Sequence, residues 1–443
     1  MLEYVLDAFR ERSWTEFVMV FWFFFFIDGV RNVLMDFVLV AHVLKRSSTR
    51  YTQDKANAER RIRDENPLVS IIVPGKNEGR HIPNLVRSLA NQTYLNFEVI
   101  VVDDGSDDDT EAICRDLERS GKITLFLRNE VRGGKASAAN LALRYSKGKY
   151  ILHLDADTHL QRDALEKILL PCYLDSRIGA VAGNVRVANL EESLTSGLQA
   201  IEYIKGISVG RVVHSTLGTL RIVSGAFGLF PREALLHIGG WDVGPGLDGD
   251  LTQKLRKAGY LIQFEPDAIC FTHVPATPSK LAKQRFRWDR SLVRFRVRRH
   301  ADIFSANANF KVMNFVSSAE NVFFSIALNA NWWAYFIYAL VFSSYGAPVL
   351  LVINYILYVV ANFIQLGLAC SLQSKTMRRE EWKLFALIPL TPLYVGLLLR
   401  TVRTYAYLME FFFRVSYHDS WNPWKVSKAV LEFEKGKPQG AKH

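Results

Sequence analysis

Three short acidic patches and one aromatic-basic patch stand in fixed order along the chain: VVDDGS at 101–106, LDADT at 154–158, GLDGDLT at 246–252 and QRFRW at 284–288. Asp155 and Asp157 follow the apolar run Tyr150 to Leu154, so a strand would end where two carboxylates emerge one residue apart. Hard oxygen donors at a strand end suit a divalent cation and the diphosphate it neutralises. The same pair on a buried strand end would be costly without a cation, which argues against a purely structural role. In QRFRW, Gln284 and Arg287 could meet phosphate oxygens, which a planar guanidinium suits, while Trp288 offers a flat apolar face. A helix whose Trp and Arg lie at a membrane surface gives the same pattern, and the two readings are compatible.

The elements that must position these groups alternate. VSIIVP (69–74) and FEVIVVDD (97–104) are short β-branched runs of the kind found in parallel sheets buried on both faces. Between them Ile82, Leu85, Val86 and Leu89 carry helical spacing, giving a βαβ unit. KITLFLR (122–128), a helix from Ala136 to Tyr145 and the strand YILHLDAD continue it. The expected fold class is α/β: a doubly wound nucleotide-binding domain with a mainly parallel sheet and its ligand at the carboxyl ends of the strands. Lys135, in RGGKASAAN, falls where a glycine-rich turn enters a helix, a natural meeting point of cation, backbone N–H groups and phosphate. Asp250 would cap the helix Leu251 to Ala258.

With 443 residues, 49% hydrophobic, the chain can bury such a domain and still have apolar residues left for a bilayer. Its formal net charge of +11 gathers in clusters such as Lys45 to Arg50, Arg60 to Arg63 and Arg294 to Arg299, beside apolar stretches. That distribution fits a positive-inside bias around membrane segments and argues against nucleic-acid binding. Cys114, Cys172, Cys270 and Cys370 show neither zinc-ligand spacing nor a disulfide framework. Phe17 to about Val40 reads as one transmembrane helix, with an interfacial aromatic helix as the alternative. Ser47 to Asn66 is a linker or surface helix. After Arg299 come Phe315 to Ala330, interrupted by Glu320 and Asn321, then Trp332 to Phe342, a spanning stretch Pro348 to Cys370, and Phe385 to Phe413, whose Pro389 and Pro392 allow a kink, a re-entrant turn or a hairpin.

Residues 68 to about 300 resemble glycosyltransferase family 2, and within it the processive membrane-embedded synthases of cellulose, hyaluronan and poly-N-acetylglucosamine. One DxD is weak evidence; four motifs in order, ending in QxxRW, are specific. The resemblance implies a GT-A-type nucleotide-sugar-binding domain flanked by interfacial and transmembrane helices. It implies that Pro74, Asn77 and Glu78 cup the uridine, that Asp103 and Asp104 hydrogen-bond uracil and ribose, and that Lys135 contacts the nucleotide. Asp155 would reach the ribose or the metal and Asp157 would ligate Mg²⁺ or Mn²⁺. Asp248 would be the general base, Gln284 and Arg287 would contact the diphosphate, and Ser224, Gly225, Phe227, Trp241 and Trp288 would line the acceptor site. Leu247 stands where the family usually has an acidic residue, and His273 where a carboxylate is common.

The expected division is an N-terminal membrane helix (1–46), a linker (47–67), a cytosolic transferase domain (68–272), interfacial helices with QxxRW (273–308), a transmembrane region (309–415) and a cytosolic tail (416–443). The expected activity is inverting polymerisation of a UDP-sugar, UDP-N-acetylglucosamine first and UDP-glucose second, into a β-linked polysaccharide exported across the bacterial inner membrane. Its partners would be the UDP-sugar donor, the growing polysaccharide, the lipid bilayer and accessory export or regulatory subunits. A non-processive transferase to a lipid phosphate carrier would need neither QxxRW nor so large a C-terminal membrane region. A non-enzymatic nucleotide sensor would need no base at Asp248.

Overall fold

The computed structural model of the protein describes residue 27 and residues 29–242, 247–305, 310–342, 347–372 and 378–418. Strands β1 (Val69–Gly75), β2 (Phe97–Asp103), β3 (Leu125–Arg128) and β4 (Tyr150–Leu154) lie in the order β3-β2-β1-β4, all parallel. Their residues alternate between two cores: Ile71, Val73, Val99 and Val101 enter one, Ile72, Ile100, Val102 and Ile151 the other. Burial on both faces explains the unbroken β-branched runs, each side chain contributing roughly 1.5–3 kcal/mol. One face is covered by Ile82–Ala90 through Ile82, Leu85, Val86 and Leu89. The helix Lys135–Tyr145 covers the other with Ala136, Ala138, Ala139 and Ala142, whose small side chains allow close approach. The strand expected over 122–128 is shorter than its apolar run because the N–H groups of Lys122 and Ile123 donate to Leu117 O, closing the preceding helix.

β5 (Thr158–Leu160), β6 (Ile178–Val187), β7 (Phe227–Pro231) and β8 (Leu261–Thr272) complete an eight-stranded sheet, β3-β2-β1-β4-β7-β6-β8-β5. β7 is antiparallel to both β4 and β6, β6 is parallel to β8, and β5 is antiparallel to β8. The sheet is therefore parallel where the acidic ends gather and mixed beyond. β7 is central, as the aromatic run FGLFP suits, and is followed directly by the short helix Arg232–His237.

The segment 49–65 is a surface helix, N-capped by Ser48, whose Oγ accepts from Tyr51 N, and ended by Asn66 in the left-handed region at φ 40°. Residues 17–26 and 28 of the expected N-terminal spanning helix lie outside the described residues; from Gly29 the chain is helical through Arg46, with Val30, Val33, Leu34, Phe37 and Leu44 exposed along one stripe. Val312–Val322, Phe323–Ala327 and Leu328–Phe342 form one helical run with a π-type middle, where Glu320 pairs with Arg221 and lies 3.8 Å from Arg31. Among the described residues, two segments are long and apolar enough to cross a membrane, Leu351–Ser371 and Arg379–Phe413. The second stays helical throughout, so the hairpin alternative falls away: Arg403 bonds Asp289 at 3.3 Å and the Arg400 guanidinium lies 4.7 Å from the Trp332 ring centre, leaving neither cation bare. Arg186 of β6 meets Glu381 at 3.2 Å, both nearly fully buried, tying the sheet to the start of that segment.

Candidate active site

Because β1, β2 and β4 are adjacent and parallel, their carboxyl ends bring Glu78, Asp103, Asp155 and Asp157 to one edge of the sheet. The Lys135 ammonium, at the start of its helix, pairs with Asp155 Oδ1. Burial opposes both charges, but the pairing outweighs it: Asp155 is held below the ordinary carboxylate value, and Lys135 is raised by Asp155, Asp248 and Asp157. Asp157 is pushed up to about 6 by burial and then by Asp155. Glu78 is pushed up to about 7 by burial and then by Asp157 and Asp155. Three carboxylates therefore crowd one another around a single lysine. That is the electrostatic condition of a site short of positive charge, and its hard oxygen donors fit Mg²⁺ or Mn²⁺. Among the described residues no three metal-type side chains converge closely enough to enclose a cation by themselves. Mg²⁺ is commonly bound by one or two carboxylates together with substrate phosphates, which fits that geometry.

Asp103 and Asp104 differ in what they leave available. Asp103 Oδ1 accepts from Ser106 N at 2.9 Å and from the Ser106 hydroxyl, while Oδ2 lies 3.4 Å from Arg128 and accepts no hydrogen bond among the described residues. Asp103 also lines a small crevice with Gly75, Glu78 and Thr110. Asp104 uses both oxygens within the chain, accepting from Asn129 Nδ2, Gly133 N and Gly134 N at 2.7–2.9 Å, and so shapes the turn that leads into Lys135. Asn77 takes the left-handed conformation at φ 60°; its N–H donates to Ser106 Oγ and its Oδ1 accepts from Asp107 N. Its visible role is to fold the β1 loop onto the β2 loop, and Pro74 sits within β1 beside Val102.

Asp248 begins the helix Leu247–Ala258. Its Oδ2 accepts from Gly225 N at 2.8 Å, and Thr252 Oγ1 donates to its carbonyl at 2.7 Å. Burial raises the Asp248 carboxyl above the ordinary value, against the lowering pull of Lys135 and the Gly225 N–H. The residue after it must be small: a Cβ on Gly249 would stand 2.4 Å from the Phe295 ring. Asp250 does not act as a helix cap. It is the fourth residue of the helix and pairs with His300 Nε2 at 2.8 Å and Arg299 Nε at 3.2 Å, anchoring the helix to the segment after QRFRW. Burial opposes the Asp250 charge, but the His300 hydrogen bond and Arg299 outweigh it and hold the carboxyl below 3.8. A depressed carboxyl stabilises the fold above its unfolded value and loses that contribution as pH falls through the folded value. Asp250→Asn is therefore expected to cost about 1–3 kcal/mol near neutral pH, a cost that shrinks below pH ~4, with turnover little changed. Thermal unfolding across pH checks this; an undiminished difference in acid would point to packing instead.

Two residues of this neighbourhood carry no sequence motif. Arg211 follows the π-helical stretch Ile204–Val209; burial lowers its guanidinium to about 10 despite Asp248 nearby, and its Nη1 finds no hydrogen-bond partner among the described residues. His153 lies inside β4, its Nδ1 2.6 Å from Gly225 O. Lone polar residues within apolar runs were the available signal for both.

In the helix Pro278–Leu292, Trp288 is 46% exposed and Arg285 lies over it, guanidinium carbon 4.5 Å from the ring centre. Arg285 also binds Glu202 in bidentate fashion at 2.8 and 3.0 Å, and Tyr394 OH donates to Glu202 at 2.9 Å. Arg285, the second residue of QRFRW, thus clamps the Trp288 ring to both the catalytic domain and the C-terminal segment, a role that depends on partners distant in sequence. Gln284 Oε1 is buried with no hydrogen-bond donor among the described residues.

Two acceptor-site expectations need correction. Phe227 is fully buried in β7, its ring filling the space above Gly183, where a Cβ would stand 2.0 Å away. Trp241 is 3% exposed, set edge-on to Phe230 at 5.9 Å, with its backbone N–H donating to Asn140 Oδ1. Both rings belong to the core and offer no face to a sugar. Ser224 and Gly225 remain beside Asp248, Ser224 O accepting from Phe227 N.

A mixed α/β sheet with a carboxylate cluster at the ends of its parallel strands is the arrangement of a GT-A-type fold. Residues 70–239 match the family model Glycosyl transferase family 2. Over 221 residues, 50% of this chain and 53% of the relative, it is 33% identical to the poly-beta-1,6-N-acetyl-D-glucosamine synthase of Staphylococcus epidermidis. The Staphylococcus aureus enzyme of the same name is 31% identical over 226 residues, 51% of this chain and 54% of the relative. The match thus spans about half the length of these curated relatives. In fold, the chain is similar to a mannosyltransferase from Pyrobaculum calidifontis solved with GDP-Man and Mn²⁺, at TM-score 0.53 and 21% identity, covering 85% of this chain and 99% of that one.

Proposed function

We propose that the protein is an inverting, processive glycosyltransferase that polymerises N-acetylglucosamine from UDP-N-acetylglucosamine into a β-linked polysaccharide. The observation that carries this reading is that Lys135 feels both Asp155, which it binds, and Asp248, so donor-side and acceptor-side carboxylates share one half-buried site. Identity to two synthases named for that polymer supports the sugar.

The acceptor hydroxyl gives its proton to the Asp248 carboxylate as its oxygen attacks the anomeric carbon, and the bond from that carbon to the diphosphate oxygen breaks on the opposite face. One displacement inverts the centre. Asp157 with Asp155 would hold Mg²⁺ or Mn²⁺, which supplies Lewis-acid neutralisation of the departing diphosphate. Lys135 adds a fixed cation beside it, Asp103 Oδ2 accepts from the nucleotide, and the exposed face of Trp288 receives the acceptor sugar. Asp104 and Asn77 act by shaping the loops around the nucleotide. The apolar segments Leu351–Ser371 and Arg379–Phe413 lie in the bilayer with the N-terminal helix, the catalytic domain faces the cytosol, and the product passes outward along the helices.

Trp288→Ala removes a stacking face worth about 1–3 kcal/mol and leaves the nucleotide and cation sites untouched. Polymer synthesis should fail while UDP binding persists; full-length polymer at the wild-type rate would reduce QRFRW to a membrane-surface helix. The assignment as a whole is tested by incubating the purified protein with a panel of radiolabelled nucleotide sugars and Mg²⁺ or Mn²⁺, then sizing and digesting the product. Long β-linked N-acetylglucosamine is expected. A single sugar on a lipid phosphate, or polymer from UDP-glucose alone, would overturn the reading.

A further inference from the structure

We propose that His153 is a positioning residue for the base: its ring fixes the Gly225 peptide, and Gly225 in turn fixes the Asp248 carboxylate. The inference rests on the reading of Asp248 as the base. His153 Nδ1 lies 2.6 Å from Gly225 O, and a carbonyl only accepts, so Nδ1 carries the hydrogen. From the same residue, Gly225 N donates to Asp248 Oδ2 at 2.8 Å. The approach leaves no room for a side chain between them: a Cβ on Gly225 would stand 2.9 Å from Asp248 Oδ1 and 3.2 Å from His153 Cε1.

Both ends of this chain are braced. The His153 ring packs 5.7 Å from Trp241, whose backbone is clamped by Asn140, with its N–H donating to Oδ1 at 2.9 Å and its carbonyl accepting from Nδ2 at 2.7 Å. On the other side Val223 N donates to Thr252 Oγ1, which donates to Asp248 O, so the loop before Gly225 is tied to the first turn of the base helix. A histidine 1% exposed inside the strand YILHL gains nothing from packing that leucine would not supply. The donor to Gly225 is what distinguishes it. A general base works only within hydrogen-bond reach of the proton it takes, and a misplacement near 1 Å can cost on the order of a hundredfold.

His153→Phe keeps a ring against Trp241 and deletes the donor; His153→Asn keeps a donor near the Nδ1 position. In the full-length protein, H153F is expected to lower kcat about 10–100-fold while KM for UDP-N-acetylglucosamine and UDP affinity stay within about twofold, and H153N is expected to recover most of the loss. Wild-type turnover in H153F, equal impairment in both variants, or a parallel loss of UDP affinity would overturn the proposal. Should H153F not fold, nitrogen NMR of the histidine-labelled wild type, assigned against H153N, decides: hydrogen on Nδ1 is expected, and hydrogen on Nε2 contradicts it. A wild type that makes no product from UDP-N-acetylglucosamine would count against the proposed function instead, leaving the tautomer to judge the positioning.

Discussion

Asp157→Asn is expected to abolish sugar transfer, by more than about a thousandfold, and to remove the dependence of UDP binding on Mg²⁺ or Mn²⁺. The substitution is nearly isosteric, so the loss reads charge rather than shape. Asp157 sits among Glu78, Asp155 and one lysine, and burial together with Asp155 already pushes its carboxyl up to about 6. A bound cation would relieve that carboxylate and would supply the charge that offsets a departing diphosphate. UDP binding measured with and without added cation, beside turnover, checks the claim. Full wild-type activity in the presence of a strong chelator would sink the metal assignment.

Asp248→Asn should lower turnover by about 10²–10⁴ while UDP affinity stays near normal, since general-base catalysis contributes about that much. The asparagine can still accept from Gly225 N, so the loop geometry at 2.8 Å survives while the proton acceptor is lost. Asp250→Asn is the control, because Asp250 is occupied by Arg299 and His300. If Asp250→Asn were instead the crippling change, the base would lie two residues later than assigned.

The parallel half of the sheet was legible because burial on both faces leaves an unmistakable trace, in which every residue of Ile71 to Val73 and Val99 to Val102 is apolar. The acidic ends were legible for the complementary reason: carboxylates directly after such runs have few structural uses. The antiparallel half was not. β6 reads IGAVAGNVRV, whose glycines and alanines carry weak strand propensity and are explained only by neighbours such as the Phe227 ring over Gly183. Phe227 and Trp241 carry the residue types of an acceptor-site lining, and sequence does not distinguish an aromatic that fills the core from one that faces a ligand. Arg285, Arg211 and His153 escaped notice because their roles depend on partners far along the chain, Glu202, Asp248 and Gly225. Asp104 and Asn77 carry the expected residue types, yet their side chains are engaged in the loops, a local distinction that composition does not encode.

The claim that this is a processive polymerase is tested most directly by product length at low conversion. Purified protein in lipid nanodiscs, given UDP-[¹⁴C]N-acetylglucosamine and Mn²⁺ and stopped after a few per cent of the donor is consumed, should place its label in long chains, with short oligosaccharides scarce. Label confined to one or two sugars, free or on a lipid carrier, would contradict the account.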